Sequence, residues 1–225
     1  MNWTWIAQNL DRIADYGLAH LALSIPPIVL GLLVSVPLGW LAGKSPVSRG
    51  GILAVSGILY AIPSLPLFIV VPSLIGTRVL DPINVIVALT MYAMALLVRA
   101  VADALDAVDR DVLLFADAVG FGGARRFWTV ELPLAGPTII GGLRVVAVST
   151  VSLVTVGSVI GVQSLGYFFL DGYQRSFPTE IIVGIIGTVV IALALDAVIV
   201  LVGRLIMPWA HRVEPRRAHR SGAIA

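Results

Sequence analysis

The chain has no cysteine, few charges and little polar sequence, and each shortage narrows what it can be. Without cysteine there is no disulfide framework and no thiolate metal site. Only 12% of the 225 residues are Asp, Glu, Lys or Arg against 58% hydrophobic, and mean hydropathy is +0.98, so water is not the main solvent. The net charge is +2 with basic residues dispersed except near the end, which leaves no footprint for nucleic acid. His20, His211 and His219 are isolated and lack ligand spacing, so no metal site is expected. No Gly-x-x-x-x-Gly-Lys-Ser/Thr occurs, so the chain shows no P-loop of its own, and no catalytic constellation stands out. Met1 to Tyr16 carries Asp11, Arg12 and Asp15 but no basic n-region, which predicts an anchor rather than a cleaved signal.

What is there is long apolar sequence. Charges are absent from Tyr16 to Gly43 and from Gly50 to Thr77, 28 residues each. A helix needs about 20 residues to cross a hydrocarbon core of about 30 Å, so each gap holds one tilted crossing. The pattern predicts an all-α integral membrane protein of about five crossings: Leu18–Ala42, Ile52–Ile75, Ile83–Val98, Leu134–Ile160 and Ile181–Met207. Before the first lies an amphipathic stretch with Trp3, Trp5, Ile6 and Leu10. Pro26, Pro27 and Pro37 predict an irregular first crossing, and Pro63-Ser64-Leu65-Pro66 predicts an interruption of the second. This divides the chain into an extracytoplasmic segment over 1–17, a transmembrane domain over 18–207 with a long loop at about 102–132, and a basic cytoplasmic tail over 208–225.

Lys and Arg counts set the orientation, because positive loops stay in the cytoplasm. With five crossings one side holds Lys44, Arg49, Arg110, Arg125, Arg126, Arg212, Arg216, Arg217 and Arg220, and the other only Arg12, Arg78 and Arg175. The N-terminus is therefore expected outside, and the long loop and C-terminus in the cytoplasm.

In that loop Leu113, Ala116, Gly120 and Ala124 recur at helical spacing over Val112–Phe127, and Val130-Glu131-Leu132-Pro133 closes it before the fourth crossing. A cytoplasmic amphipathic helix of this kind suits either docking of a soluble partner or an interfacial position on lipid. The run from Ala116 through Gly120 and Phe121, with Arg125-Arg126-Phe127-Trp128-Thr129-Val130-Glu131-Leu132-Pro133, resembles the signature loop of importer permeases of the ATP-binding-cassette class. That loop begins Glu-Ala-Ala, has glycine six residues after the acid, and ends on an aliphatic residue, a spacer and Leu-Pro. Gly120, Val130, Leu132 and Pro133 match; the acid and first alanine fall on Leu114 and Phe115, the second alanine on Ala116. The acid is missing, with Asp117 or Asp111 nearby to supply charge. Tyr60-Ala61-Ile62-Pro63-Ser64-Leu65-Pro66-Leu67, Leu143-Arg144 and Ile160-Gly161-Val162-Gln163-Ser164-Leu165-Gly166 resemble the glycine betaine, carnitine and choline subfamily.

The resemblance implies a channel of two permease subunits, identical or related. It implies cytoplasmic ATPases carrying ATP and Mg, a separate extracytoplasmic binding protein, and a prokaryotic inner-membrane location. It also implies docking through Leu114, Phe115, Ala116, Asp117, Gly120, Phe121, Arg125, Arg126 and Pro133, with Gly120 permitting close approach of the partner. Alternatives are a permease for methionine or another small solute, a gradient-driven transporter using Asp196, or a membrane scaffold. Five crossings without an inverted repeat oppose the gradient-driven reading. Arg144, 11 residues after Pro133, and Asp196, 11 before Met207, reach similar depth in antiparallel helices and are expected to pair and hold the bundle, since a lone mid-bilayer charge costs about 2.5–3.5 kcal/mol. Contact of either charge with substrate in the pore is the alternative, opposed by repulsion between Arg144 and a cationic quaternary amine. Tyr60, Tyr92 and Trp40 offer cation-π faces to a quaternary ammonium ion but equally pack or anchor at an interface.

Overall fold

Backbone buried in hydrocarbon must satisfy its own hydrogen bonds, which favours helix throughout the apolar runs. The computed structural model describes residues 1–211, and its order of elements follows that rule. These are α1 (Trp3–Gln8), α2 (Leu10–Ala42), α3 (Pro46–Ala61), α4 (Ser64–Ile75), α5 (Pro82–Asp106), α6 (Arg110–Ala118) and α7 (Gly123–Arg126). A π turn over Phe127–Glu131 leads into α8 (Leu132–Gly157), followed by α9 (Gly166–Gln174) and α10 (Pro178–Ile206). The basic tail from Arg212 onward, with Arg216, Arg217, His219 and Arg220, lies outside the described residues.

Close approaches fix the directions. Gly31 lies against Ala93 and Gly39 against Val101, where an added Cβ would stand 2.6 and 2.5 Å from its neighbour, so α2 and α5 run parallel at near contact of their backbones. α8 runs the other way, passing Ala100 at Gly142 and Val85 at Gly157. α10 is antiparallel to α8, with Asp196 beside Arg144 and Trp209 beside Pro133. α5 is the central helix: Val85, Leu89, Leu97, Val98 and Val101 are fully buried.

Because α2 ends where α5 also ends, α3 and α4 together must carry the chain back across the bundle. They form one broken crossing, bent by 106° between Ala61 and Ser64. With the four long apolar helices this makes five crossings. The break is built by two prolines. Pro63 has no N–H for the carbonyl of Leu59, and Ile62 N–H takes that carbonyl at 3.4 Å instead. Pro66 has none for the carbonyl of Ile62, and the Tyr92 hydroxyl of α5 donates to it. Tyr92 is buried and its ring meets that of exposed Tyr60 edge-on at 6.1 Å, so these aromatics pack at the break.

Three expectations are corrected. The first crossing is not irregular: α2 continues through Pro26, Pro27 and Pro37 for 33 residues, held along its length by α5. Its helix starts at Leu10 rather than Leu18. The single loop helix over Val112–Phe127 is instead α6, a glycine-ended turn, α7 and a π turn. One element, α9, falls where no helix was expected; it packs on α10 and carries Tyr167 and Phe168 into an aromatic cluster with Trp5 and Tyr16.

Candidate functional site

The loop between α5 and α8 gathers at the end of the bundle where α2 and α5 finish. Asp109 caps α6 by accepting from Asp111 N–H at 2.8 Å. Leu113 packs on the core cluster and Ala116 is buried, so this face of α6 sits on the bundle. Ala116 is therefore turned away from any docking partner. The opposite face is apolar and has no partner among the described residues: Leu114, Phe115 and Val119 are 65%, 72% and 78% exposed.

Gly120 ends α6 in the left-handed region at φ +92°. Phe121 N–H reaches back to the Ala116 carbonyl and Gly120 N–H to that of Asp117, both at 3.0 Å, a reciprocal cap that satisfies the last carbonyls. A Cβ at Gly120 would meet nothing within 4 Å. The glycine thus answers a backbone requirement within the chain, a reason the spacing alone did not reveal.

Arg126 ties the loop together. Its Nη1 reaches Asp117 Oδ2 of α6 at 2.5 Å and its Nε reaches Glu131 Oε1 at 2.7 Å, on the threshold of α8. Asp117 is thereby engaged within the chain, and α6 is fastened to α8 through one side chain. Arg125 lies over the Phe121 ring at 4.8 Å. Phe127 is buried against Trp40 of α2 at 5.1 Å, over which Lys44 Nζ sits at 3.8 Å. In the π turn Leu132 N–H bonds the Phe127 carbonyl, one residue further back than the Trp128 carbonyl of a regular α-helix, and Pro133 follows with no N–H to offer Thr129. Trp209 Nε1 donates to the Pro133 carbonyl at 3.3 Å, joining the end of α10 to the start of α8.

Away from the loop, Arg144 and Asp196 meet midway along α8 and α10 through two parallel bonds, Nε to Oδ1 at 2.6 Å and Nη2 to Oδ2 at 2.8 Å. Pro63 and Ser64 form the elbow between α3 and α4, and Pro66 lies in the first turn of α4. Sequence reasoning missed the Arg126 link, although Asp117, Arg126 and Glu131 all stood in the quoted motif.

The described bundle has five crossings, and its long loop offers an apolar helix outward and is tied by Arg126 to the start of a crossing. Residues 35–212 match the family described as binding-protein-dependent transport system inner membrane component, and the chain belongs to that family. It is the permease subunit of an ATP-binding-cassette importer and not an enzyme. The choline transport system permease protein OpuBB of Bacillus subtilis strain 168 is 29% identical over 189 residues, 84% of this chain and 86% of that protein. The osmoprotectant import permease protein OsmW of Salmonella typhimurium is 28% identical over 195 residues, 85% and 90%. In fold, the chain resembles a subunit of the MetNI methionine transporter in inward-facing form, with TM-score 0.72, 20% identity and coverage of 89% and 97%. It also resembles an amino acid ABC transporter, with TM-score 0.66, 15% identity and coverage of 94% and 98%.

Proposed function

We propose that this subunit forms half of an ATP-driven channel importing compatible solutes such as glycine betaine, carnitine, choline or proline. The relatives named for choline and osmoprotectant transport support the substrate class. ATP and Mg sit on cytoplasmic ATPase partners, a second permease subunit completes the channel, and a separate extracytoplasmic binding protein delivers the solute. Lys44, Arg49, Arg110, Arg125 and Arg126 cluster at the loop end and Arg12, Arg78 and Arg175 at the other, which supports a cytoplasmic loop and an extracytoplasmic N-terminus.

The observation that carries the mechanism is the contrast between the two faces of α6. Its exposed Leu114, Phe115 and Val119 dock into the ATPase, and its Asp117 passes displacement through Arg126 to Glu131 and α8. When the ATPases close, α6 moves and α8 follows with α10, which shares the Arg144–Asp196 pair, alternating the channel between inward-open and outward-open packings. Purification of the tagged chain from its own membranes in mild detergent tests this reading. The wild type is expected to bring down an ATPase and Leu114→Asp/Phe115→Asp to lose it; recovery of the ATPase with both would remove the docking role.

A further inference from the structure

The Arg144–Asp196 pair is half open to the outside of the subunit at mid-bilayer depth, which hydrocarbon cannot accommodate. The side chain of Arg144 is 46% exposed and that of Asp196 is 22% exposed. Arginine carries five N–H donors, and the two bonds to Asp196 use two of them, so three face outward without an acceptor among the described residues. Open cavities of about 270 and 370 Å³ flank the pair, the first lined by Pro137, Gly141 and Met207, the second by Val145, Val148 and Ser149. The same outward face of α8 carries exposed Thr138 and Ser152 and partly exposed Ser149 and Thr155, interleaved with exposed Val145 and Val148. Ser152 and Thr155 donate to carbonyls of their own helix, leaving hydroxyl lone pairs outward. The stripe of α10 that turns away from Asp196 differs: Ile186, Val190 and Leu201 are exposed and apolar, as a lipid contact requires.

We infer that the α8 face from Thr138 to Thr155 lines the water-filled route, and that the free N–H edge of Arg144 receives the carboxylate of a zwitterionic quaternary amine. Asp196 fixes the edge that Arg144 presents and offsets its charge, and Arg204, which lines the first cavity with Arg144, adds a second guanidinium that favours the carboxylate end of the solute there. A solute with both a carboxylate and a quaternary ammonium group meets an acceptor-seeking edge and a carboxylate side by side. Choline, lacking the carboxylate, engages only the second. This inference rests on the importer reading and deepens it by naming the charge pattern of the solute.

The natural absence of cysteine makes the test direct, because single cysteines can be added to this subunit without removing others. Val145→Cys, Ser149→Cys and Ser152→Cys on α8, with Val190→Cys and Leu201→Cys on α10, are each assembled with the binding protein and ATPase in proteoliposomes. Only variants retaining ATP-driven uptake of glycine betaine are labelled, with a membrane-impermeant thiol reagent bearing a trimethylammonium group. The α8 positions are expected to react at least about tenfold faster, since each unit by which lipid raises a thiol pKa removes tenfold of the reactive thiolate. Glycine betaine is expected to slow labelling of Ser149→Cys and choline to leave it unchanged. Equal labelling of the two helices in a transporter that takes up solute would overturn the route while leaving the importer reading intact. Rapid α8 labelling that glycine betaine does not slow, or that choline slows equally, would overturn the carboxylate site. Absence of ATP-driven uptake in the cysteine-free wild type would instead strike the importer reading itself.

Discussion

Replacing Arg126 with alanine cuts the only side-chain ion-pair bridge seen between α6 and the start of α8 among the described residues. The two arms of the bridge differ in worth. The Asp117 arm is exposed, with 48% of the carboxylate side chain open, and an exposed pair contributes about 0.2–1 kcal/mol. The Glu131 side chain is only 11% exposed, and a hydrogen bond to such a charged group is worth about 1.5–3 kcal/mol, mostly because its loss strands a desolvated carboxylate. Together the loss is about 2–4 kcal/mol of the link, and at about 1.4 kcal/mol per tenfold this lowers the population of the clamped geometry roughly 30- to 700-fold. Arg126→Ala is therefore expected to retain the bound ATPase, because Leu114 and Phe115 are untouched, while ATP-driven uptake falls by at least about tenfold. Arg126→Ala/Glu131→Gln removes the stranded charge and recovers part of the loss, whereas Arg126→Lys recovers less because a single ammonium cannot serve both carboxylates in the same fork. Uptake by Arg126→Ala within about twofold of wild type, with the complex assembled, would refute the reasoning, since twofold corresponds to well under 1 kcal/mol.

Other sites give independent outcomes. Tyr92→Phe leaves the Ile62 carbonyl, already orphaned by Pro66, without its donor, and should lower the thermal stability of the detergent-purified subunit by an amount equivalent to about 1–3 kcal/mol; an unchanged melting curve counts against the account of the break. At Gly120, Asn should nearly preserve ATPase co-purification, Ala should cost about 1–2 kcal/mol from left-handed strain, and Val more. If Asn proved as damaging as Val, side-chain bulk against a partner would be the governing factor rather than backbone conformation. Arg144→Leu strands Asp196 at mid-depth and should reduce the yield of inserted protein, with a lone charge costing about 2.5–3.5 kcal/mol. Arg144→Leu/Asp196→Leu should restore yield and ATPase binding but not uptake; restored uptake would confine the pair to a structural role.

The crossings were legible because charge-free runs leave few alternatives in a bilayer, and Pro63 and Pro66 marked the break because a proline removes a donor wherever it stands. The angle of that break was not legible: it depends on Tyr92, thirty residues away, reaching the carbonyl of Ile62. The prolines of α2 misled for the complementary reason, since the close packing of Gly31 and Gly39 on α5 holds a helix that local rules would bend. In the loop, helical periodicity carried the helix through Gly120, where the positive φ stops it. Arg126 was named for docking and orientation, but its link was not foreseen, because a charge run next to a membrane reads as a solvated or topological signal and only the fold shows it turned between Asp117 and Glu131. α9 lacked a signal of its own, being short and stabilised by packing on α10.

Reconstitution of the purified complex in proteoliposomes tests the central claim most directly, with labelled glycine betaine and the binding protein on one side and ATP supplied or withheld on the other. Accumulation is predicted only when ATP and the binding protein are both present, on opposite faces of the membrane, and is predicted to disappear with Leu114→Asp/Phe115→Asp. Accumulation driven by an ion gradient without ATP would contradict the account and return attention to Asp196 as a coupling carboxylate.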